Sequence, residues 1–243
     1  MAQQQILAHA LACEPLESCG FLLSDGRYYP CENVAADPLS TFEIAPQAWI
    51  DAEQHGQSVV ALVHSHPEGL PCLSSADRHM QLQMGIPWII VCEGQCHEYL
   101  PVPALAGRVF SHGSMDCYTL MRDAYHLCGI RLPEFERVDN WWHTGAELYL
   151  DNMVDAGFYQ VPVQEAEPGD IFLIHLGSTA ANHGAVYLGN QMILHHPPNH
   201  FSRRDPFGGF WARYLHSVWR HKQWPSFGYT AIYNDLVAAL IYP

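Results

Sequence analysis

Over the first hundred residues, hydrophobic and polar positions follow a helical period in some segments and a strand period in others. Spacing typical of amphipathic helices occurs at residues 3–12, 46–55 and 75–84. Strand patterns, two of them joined by the turn Ser24-Asp25-Gly26, occur at residues 19–23, 27–31, 58–63, 87–92 and 96–100. This alternation of helices and strands predicts an α/β unit built on a mixed sheet.

A stretch with Pro, Gly and weak periodicity, residues 101–107, is typical of a linker. Beyond it, helical patterns at 117–128 and about 145–156 come before strand patterns at 170–175, 183–188, 192–196 and 211–219. Helices first and strands afterwards predict an α+β domain. We therefore expect a first domain over residues 1–107, a second over 108–226, and an apolar C-terminal tail over 227–243.

The charge balance is acidic, with 11 Lys and Arg against 25 Asp and Glu among 243 residues and a formal net charge of -14. Such a chain repels the phosphates of nucleic acids and anionic membrane surfaces, so we expect no nucleic acid partner. The start Met-Ala-Gln-Gln-Gln has no basic and apolar leader, and no apolar run approaches the roughly 20 residues that span a bilayer. We therefore expect synthesis in the cytosol and no membrane insertion.

The 8 cysteines follow no regular disulfide spacing, so we expect most of them to be buried, reduced thiols. Cys92, Cys96 and His97 together suggest a zinc knuckle. The intervening Glu-Gly-Gln is more typical of a hairpin turn, which is the interpretation that we favour.

A candidate metal site lies where the strand at 58–63 ends. His64 and His66 are two residues apart, so on a strand both imidazoles project to the same face. Asp77, in the first turn of the next predicted helix, can supply a third ligand. Three protein ligands leave a fourth tetrahedral position for water, which is typical of catalytic zinc. The pattern therefore predicts a metal site made by His64, His66 and Asp77, with Zn2+ as the expected ion, although a His-His-Asp site also holds other divalent ions.

Hydrolysis at such a site needs a proton acceptor near the water and a donor for the developing oxyanion. Glu17, which precedes a strand, is the candidate acceptor, and Ser74 is the candidate donor. Each residue alone has a simpler interpretation, with Glu17 as a surface acid and Ser74 and Asp77 as the N-cap and N3 positions of a helix. The conjunction of His-x-His with Ser-x-x-Asp favours the site.

These residues resemble the JAMM (MPN+) metalloprotease family, whose pattern is a distant Glu, then His-x-His-Pro, then Ser-x-x-Asp. The resemblance covers about residues 1–100 and implies a JAMM-like mixed sheet with helices that cleaves isopeptide and related amide bonds. It implies that His64, His66 and Asp77 bind zinc, that Glu17 is the general acid and base, and that Ser74 supports the tetrahedral intermediate. Leu73 stands where the family often has Pro, which leaves the ligands unchanged.

A second candidate site begins at Cys117, which follows Asp116 at the start of a predicted helix. The positive end of a helix dipole lowers a thiol pKa, so we expect a reactive thiolate. A predicted hairpin carries His183 on one strand and both His195 and His196 on the other, which offers a base and a residue to orient it. A two-residue loop places His183 opposite His196, whereas a three-residue loop with a bulge places it opposite His195. Spacing alone leaves both registers open.

Asp116-Cys117 at a helix start, Pro168-Gly169-Asp170 before a strand, and His183 with another His twelve residues later resemble the NlpC/P60 cysteine peptidases over about residues 110–220. The resemblance implies a papain-like α+β domain. It implies Cys117 as nucleophile, His183 as base and His195 as the orienting residue, with His196 less favoured.

Two positions depart from the usual NlpC/P60 residues. Tyr118-Thr119 replaces Ser-Gly after the cysteine, and Gly184 follows the histidine where many members have Val or Ala. These departures leave substrate preference open more than catalysis.

The two domain types, in this order and length, resemble the tail assembly proteins of lambda-type tailed phages. That resemblance implies a hydrolase of cell-wall peptides, made in the host cytoplasm, with other tail-tip proteins as partners and the virion tail tip as a further location. A maturation protease of tail proteins is one alternative. A structural assembly factor with one or both sites inactive is another.

Overall fold

The computed structural model describes residues 2–54 and 57–241. The chain divides into two compact units, Met1–Val102 and Pro103–Pro243. The end of the helix predicted over 46–55 and the last two residues of the predicted tail lie outside the described residues. The predicted domain boundary near residue 107 and the separate tail over 227–243 stay predictions.

The first unit is a mixed sheet with helices, as the sequence pattern predicts. Its elements are α1 (Ala2–Cys13), β1 (Cys19–Leu23), β2 (Tyr28–Cys31), α2 (Pro46–Ala52), β3 (Val59–Ser65), α3 (Ser75–Met84), β4 (Trp88–Cys92) and β5 (Gln95–Tyr99). The strand order is β2-β1-β3-β4-β5. Only β3 and β4 pair in parallel among these strands, because α3 carries the chain across between them.

The core of this unit lies between α1 and the middle of the sheet. Ile6 and Ala10 of α1 pack on Tyr28, Val63 and Val91, all buried. The hairpin of β4 and β5 turns at Glu93 and Gly94, both with positive φ, which confirms the turn interpretation. All eight cysteines are free thiols.

The second unit contains an antiparallel sheet and four α-helices among its described residues. Its elements are α4 (Cys117–Leu127), α5 (Leu148–Met153), β6 (Phe158–Val161), β7 (Ile171–Ile174), β8 (His183–Gly189), β9 (Met192–His195), β10 (Arg203–Pro206), α6 (Phe210–Arg213), β11 (Leu215–His221) and α7 (Gly228–Ile241). The strand order is β10-β9-β8-β7-β11-β6, with α4 packed on β8. Helices followed by strands confirm the predicted α+β class.

The strand predicted over 211–219 is wrong at its start. Gly209, with φ of 49°, is the N-cap of the short helix α6, and the strand begins only at Leu215. The aromatic run at 210–211 has β propensity, but Trp211 instead packs against the core around Phe172. The pattern also gave no sign of β6 and β10, and the helix predicted over 145–156 is limited to α5.

The C-terminal segment forms the helix α7, which packs against α4 within the second unit. Its buried side chains are Ala231, Ile232, Leu236 and Ala238, together with the carboxylate of Asp235. Asp235 Oδ2 accepts the N–H of Leu105 at 2.8 Å, which ties the helix to the start of the unit. Within the described part of the chain, no helix combines the length and hydropathy needed to span a membrane.

Candidate active sites

Three ligand atoms converge at the end of β3. His64 Nε2 and His66 Nε2 are 2.9 Å apart, and Asp77 Oδ2 lies 3.5 Å and 3.4 Å from them. A tetrahedral zinc ion with bonds of about 2.0–2.1 Å places its ligand atoms about 3.3 Å apart. The three separations therefore fit a single divalent ion, and all three residues are buried.

The fold of α3 brings Asp77 to this point. Ser74 is the N-cap, and its Oγ accepts the N–H of Asp77 at 3.1 Å while its own N–H donates to Asp77 Oδ2 at 2.8 Å. This capping box fixes the carboxylate in the first turn. Although burial raises the pKa of Asp77, interactions with His64 and His66 outweigh it and hold that pKa well below its usual value. The carboxylate is therefore ionised, as a metal ligand must be.

Neighbouring groups orient both imidazoles. His66 Nδ1 donates to Leu70 O at 2.8 Å, which turns Nε2 towards His64 and Asp77. His64 stacks on Phe42 with ring centroids 4.4 Å apart. A Cβ on Gly69 would come within 2.9 Å of His66 Cβ, so the loop after His66 needs glycine there.

Glu17 reaches the same site through the pairing of β1 with β3. Cys19 pairs with His64, so the antiparallel register continues through Ser18 and Ser65 to Glu17 and His66. Ser18 N–H donates to Ser65 Oγ at 2.8 Å, and Ser65 N–H donates to Ser18 O at 3.0 Å. Burial raises the pKa of Glu17 to about 7, with the charges of His66 and Asp77 acting in opposite directions. A carboxyl group with that pKa exchanges protons at neutral pH.

Cys117 lies in the first turn of α4, but its thiol is not activated in the way that the sequence suggests. Burial and the charge of Asp116 raise its pKa to about 11, against the effects of Tyr149 and the Gly184 backbone. The expectation of a lowered pKa from the helix dipole is wrong, because Cys117 is only 7% exposed and desolvation disfavours the thiolate. The Sγ atom lies 3.2 Å from Tyr149 Oη.

Both predicted registers of the histidine hairpin are also wrong. Residues 190 and 191 form the loop, a bulge lies between Tyr187 and Gly189, and Ala185 pairs with His195. His183 therefore meets His195 diagonally on one face of the sheet, with His183 Nε2 3.0 Å from His195 Nδ1. His196 points to the other face, where its ring packs on Phe110.

The chain of contacts continues beyond His195 to residues that sequence reasoning missed. His195 Nε2 lies 3.0 Å from Asp205 Oδ2, and Trp211 packs on both imidazoles, with ring centroids 5.7 Å from His183 and 4.5 Å from His195. Burial lowers the pKa of His183 to about 3 and also lowers that of His195, so both rings are neutral at pH 7. No hydrogen bond joins Cys117 to His183 among the described residues. Such bonds are often long before substrate binds.

The departures from the NlpC/P60 pattern have structural roles. Tyr118 packs under the guanidinium of Arg137, whose carbon lies 4.8 Å from the ring centre. Arg137 Nε donates to Asp116 Oδ2 at 2.8 Å, and Asp116 Oδ1 accepts the N–H of Thr119 at 3.0 Å as the N-cap of α4. This buried ion pair, which the sequence pattern does not reveal, holds the helix start that carries Cys117.

Comparison with known proteins assigns each unit to a domain type. Residues 1–102 match the model of prokaryotic homologs of the JAB domain, and residues 107–220 match the model of the NlpC/P60 family. The first of these matches covers the His64, His66 and Asp77 cluster. The second covers Cys117 and the line of contacts from His183 through His195 to Asp205.

Two curated relatives match most of the chain, and a third matches a smaller part of it. The tail tip assembly protein K of Escherichia phage lambda is 52% identical over 196 residues, which cover 81% of this chain and 98% of that protein. The protein of the same name from Escherichia phage N15 is 34% identical, covering 89% of this chain and 93% of its own. A desampylase of Haloferax volcanii is 32% identical over 37% of this chain and 74% of its own length. At this identity and coverage, the chain belongs to the tail tip assembly protein K family.

Proposed function

We propose that this chain is a phage tail-tip hydrolase that cleaves amide bonds in cell-wall peptides through a zinc site and a Cys-His-His site. The observation that carries the proposal is the buried triangle of His64, His66 and Asp77 donor atoms, with edges of 2.9 Å to 3.5 Å. Three protein ligands are typical of an open, catalytic zinc site, whereas a structural zinc site would use four.

In the first unit, His64, His66 and Asp77 would hold the ion. Zinc, when bound, supplies a water of lowered pKa and a Lewis acid for the substrate carbonyl. Glu17, in register with His66, takes up and returns the proton that moves between water and the leaving amine. Ser74 Oγ accepts the Asp77 N–H and keeps its own proton to donate to the carbonyl oxygen.

In the second unit, His183 acts as general base for a thiol that is neutral at rest. Its imidazole takes the proton of Cys117 Sγ as sulfur attacks the peptide carbonyl, and then gives that proton to the leaving amine. Water hydrolyses the resulting thioester with the same imidazole as base. His195 holds His183 in position through the 3.0 Å contact between their ring nitrogens.

Family membership supports a role in tail assembly or in local opening of the wall for DNA entry. The partners would be peptidoglycan peptides and other tail-tip proteins. Assembly would take place in the host cytoplasm, with the virion tail tip as a further location.

The test is digestion of isolated sacculi with zinc-loaded, full-length protein, followed by mass spectrometry of released peptides. We expect fragments from the wild type, loss of one product class in His66→Ala, and loss of the other in Cys117→Ala. His79→Ala on α3 and Cys96→Ala on β5 are matched controls outside both sites and should keep both classes.

A product profile shared by the wild type and the variant that lacks both His66 and Cys117 would refute the proposal. Cleavage of co-expressed tail proteins, with sacculi intact, would indicate the maturation protease instead. Protein that cleaves neither substrate would indicate a structural factor.

A further inference from the structure

Asp205 adds a fourth polar group to the three residues assigned to the cysteine site, Cys117, His183 and His195. β10 pairs with β9 so that Arg203 is opposite His195 and Asp205 is opposite Ile193. Because residues two apart on a strand share a face, Arg203 and Asp205 both face the side of the sheet that carries His195. Asp205 Oδ2 lies 3.0 Å from His195 Nε2.

The Asp205 side chain is ionised and so can only accept hydrogen bonds. Burial alone raises its pKa, but hydrogen bonds from Arg203 and His195 outweigh burial and lower it. Arg203 Nε donates to Oδ1 at 2.9 Å and to Oδ2 at 3.0 Å. A carboxylate in this state offers no proton to an imidazole.

The ionised state of Asp205 determines which ring nitrogen carries the hydrogen in His195 and in His183. His195 Nε2 must carry a hydrogen to donate to Asp205, so in the neutral ring His195 Nδ1 is bare and accepts. His183 Nε2 must then carry the hydrogen of the 3.0 Å contact with His195 Nδ1. The neutral ring of His183 has one hydrogen, so its Nδ1 is left bare, and bare nitrogen is what a general base requires.

We propose that Asp205 is a positioning residue that sets the tautomers of His195 and His183 in turn, and so keeps His183 Nδ1 free to accept the proton of Cys117. The catalytic part of this inference rests on the proposed function of the cysteine site, whereas the tautomer part does not. In serine proteases an aspartate holds the catalytic histidine in the correct tautomer by direct contact, whereas here His195 lies between the aspartate and the base His183.

The variant Asp205→Asn tests the proposal at nearly constant size. The amide nitrogen is a donor, so when it faces His195 the Nε2 atom becomes an acceptor, His195 Nδ1 gains the hydrogen, and His183 ends with hydrogen on Nδ1 and a bare Nε2. The base nitrogen is then blocked. Asp205→Glu keeps an ionised acceptor and should restore the wild-type arrangement in part.

The first measurement is the ring nitrogen chemical shifts of His183 and His195 in nitrogen-15 labelled full-length protein. We expect His183 to carry its hydrogen on Nε2 in the wild type and on Nδ1 in Asp205→Asn. The exposed acid Asp155 gives the matched control Asp155→Asn, which should leave both tautomers unchanged. Spectra are recorded at pH 7, where both rings are neutral because their pKa values are lowered. The charged or titratable groups around the two rings are Arg203, Asp205, His196 and Asp116.

The second measurement is hydrolysis of a peptide that still contains the bond whose cleavage in sacculi requires Cys117. We expect kcat in Asp205→Asn to fall by about 10²- to 10⁴-fold with KM within a few-fold, since a wrong tautomer blocks the chemistry and leaves binding in place. Circular dichroism checks that the variant is folded.

Unchanged tautomers in a folded Asp205→Asn protein would overturn the proposal, even if activity fell. Switched tautomers with unchanged kcat would overturn the link from tautomer to catalysis. A wild type that has the expected tautomers but no hydrolytic activity would refute the proposed function and leave the assignment of Asp205 intact.

Discussion

Replacement of Gly184 by Ala tests the close approach of helix α4 to strand β8. A Cβ atom at position 184 would lie 2.5 Å from Met121 Cε and 2.6 Å from Met121 Sδ. Ordinary carbon contacts are about 3.5–4.0 Å, so the methionine would have to move by about 1 Å. Met121 is buried, with only 2% of its surface exposed. Overpacking of this kind typically costs about 1–3 kcal/mol.

A double-mutant cycle with Met121→Ala isolates this contact. Met121→Ala alone should destabilise by about 2–5 kcal/mol, because it leaves a cavity. In that background the new methyl group at 184 has room, and Gly184→Ala should be neutral or stabilise by up to about 1 kcal/mol through the unfolded state. The expected coupling energy is therefore about 1–4 kcal/mol.

The assay is urea unfolding monitored by tryptophan fluorescence. This signal reports mainly on the second unit, which contains five of the seven tryptophans: Trp141, Trp142, Trp211, Trp219 and Trp224. Gly208→Ala is the matched control, since a Cβ there meets nothing within 4 Å. If Gly184→Ala destabilised the protein equally with and without Met121, the contact would not be the reason for glycine.

The raised pKa of Cys117 predicts that its alkylation by iodoacetamide accelerates about tenfold per pH unit from pH 7 to 10, and a plateau below pH 8 would contradict this. The pKa of this thiol is 9.0 in the unfolded chain and about 11 in the folded one, so the protonated thiol stabilises the fold by about 3 kcal/mol below pH 9, and this contribution is lost as the pH rises to 11. Between pH 9 and 11 the free energy of unfolding should therefore fall less steeply in Cys117→Ala than in the wild type. Elemental analysis should find one zinc ion per chain in the wild type and in His79→Ala but well below one in His66→Ala. Arg137→Ala leaves the buried carboxylate of Asp116 unpaired and should cost about 3–5 kcal/mol in thermal or urea unfolding.

The metal cluster could be predicted from the sequence because its geometry is local. His64 and His66 share a strand face by the two-residue period, and Asp77 is fixed by the cap of α3 only three residues after Ser74. Glu17 is different, because it reaches His66 only through the pairing of β1 with β3. Nothing local indicates that pairing, so the sequence offered Glu17 only as a candidate, and its role as general acid and base came from the family resemblance.

The thiol shows a limit of another kind. The helix dipole is a local effect that a sequence reveals, and it would lower the pKa of Cys117. Burial depends on how α4 packs against β8 and the Tyr149 side chain, and this packing becomes visible only in the folded chain. Desolvation is the larger effect, so the prediction from local structure had the wrong sign.

Asp205 was missed because its strand has no strand-like sequence. β10 reads Arg-Arg-Asp-Pro, with no β-branched or aromatic residue, and lies at the edge of the sheet where Pro206 is tolerated. Polarity of this kind is typical of a loop. The buried imidazole of His195 on the neighbouring strand supplies the reason for a carboxylate there, and that reason requires the register.

The choice between His195 and His196 depends on the parity of the hairpin. Adjacent residues on a strand point to opposite faces, so a shift of one residue in the pairing of β8 and β9 would exchange the two histidines. With the two-residue turn at Asn190 and Gln191 alone, His196 would share a face with His183. The bulge between Tyr187 and Gly189 adds one residue to β8 and brings His195 to that face instead. The bulge therefore determines that His195, which alone of the two can face both His183 and Asp205, belongs to the site.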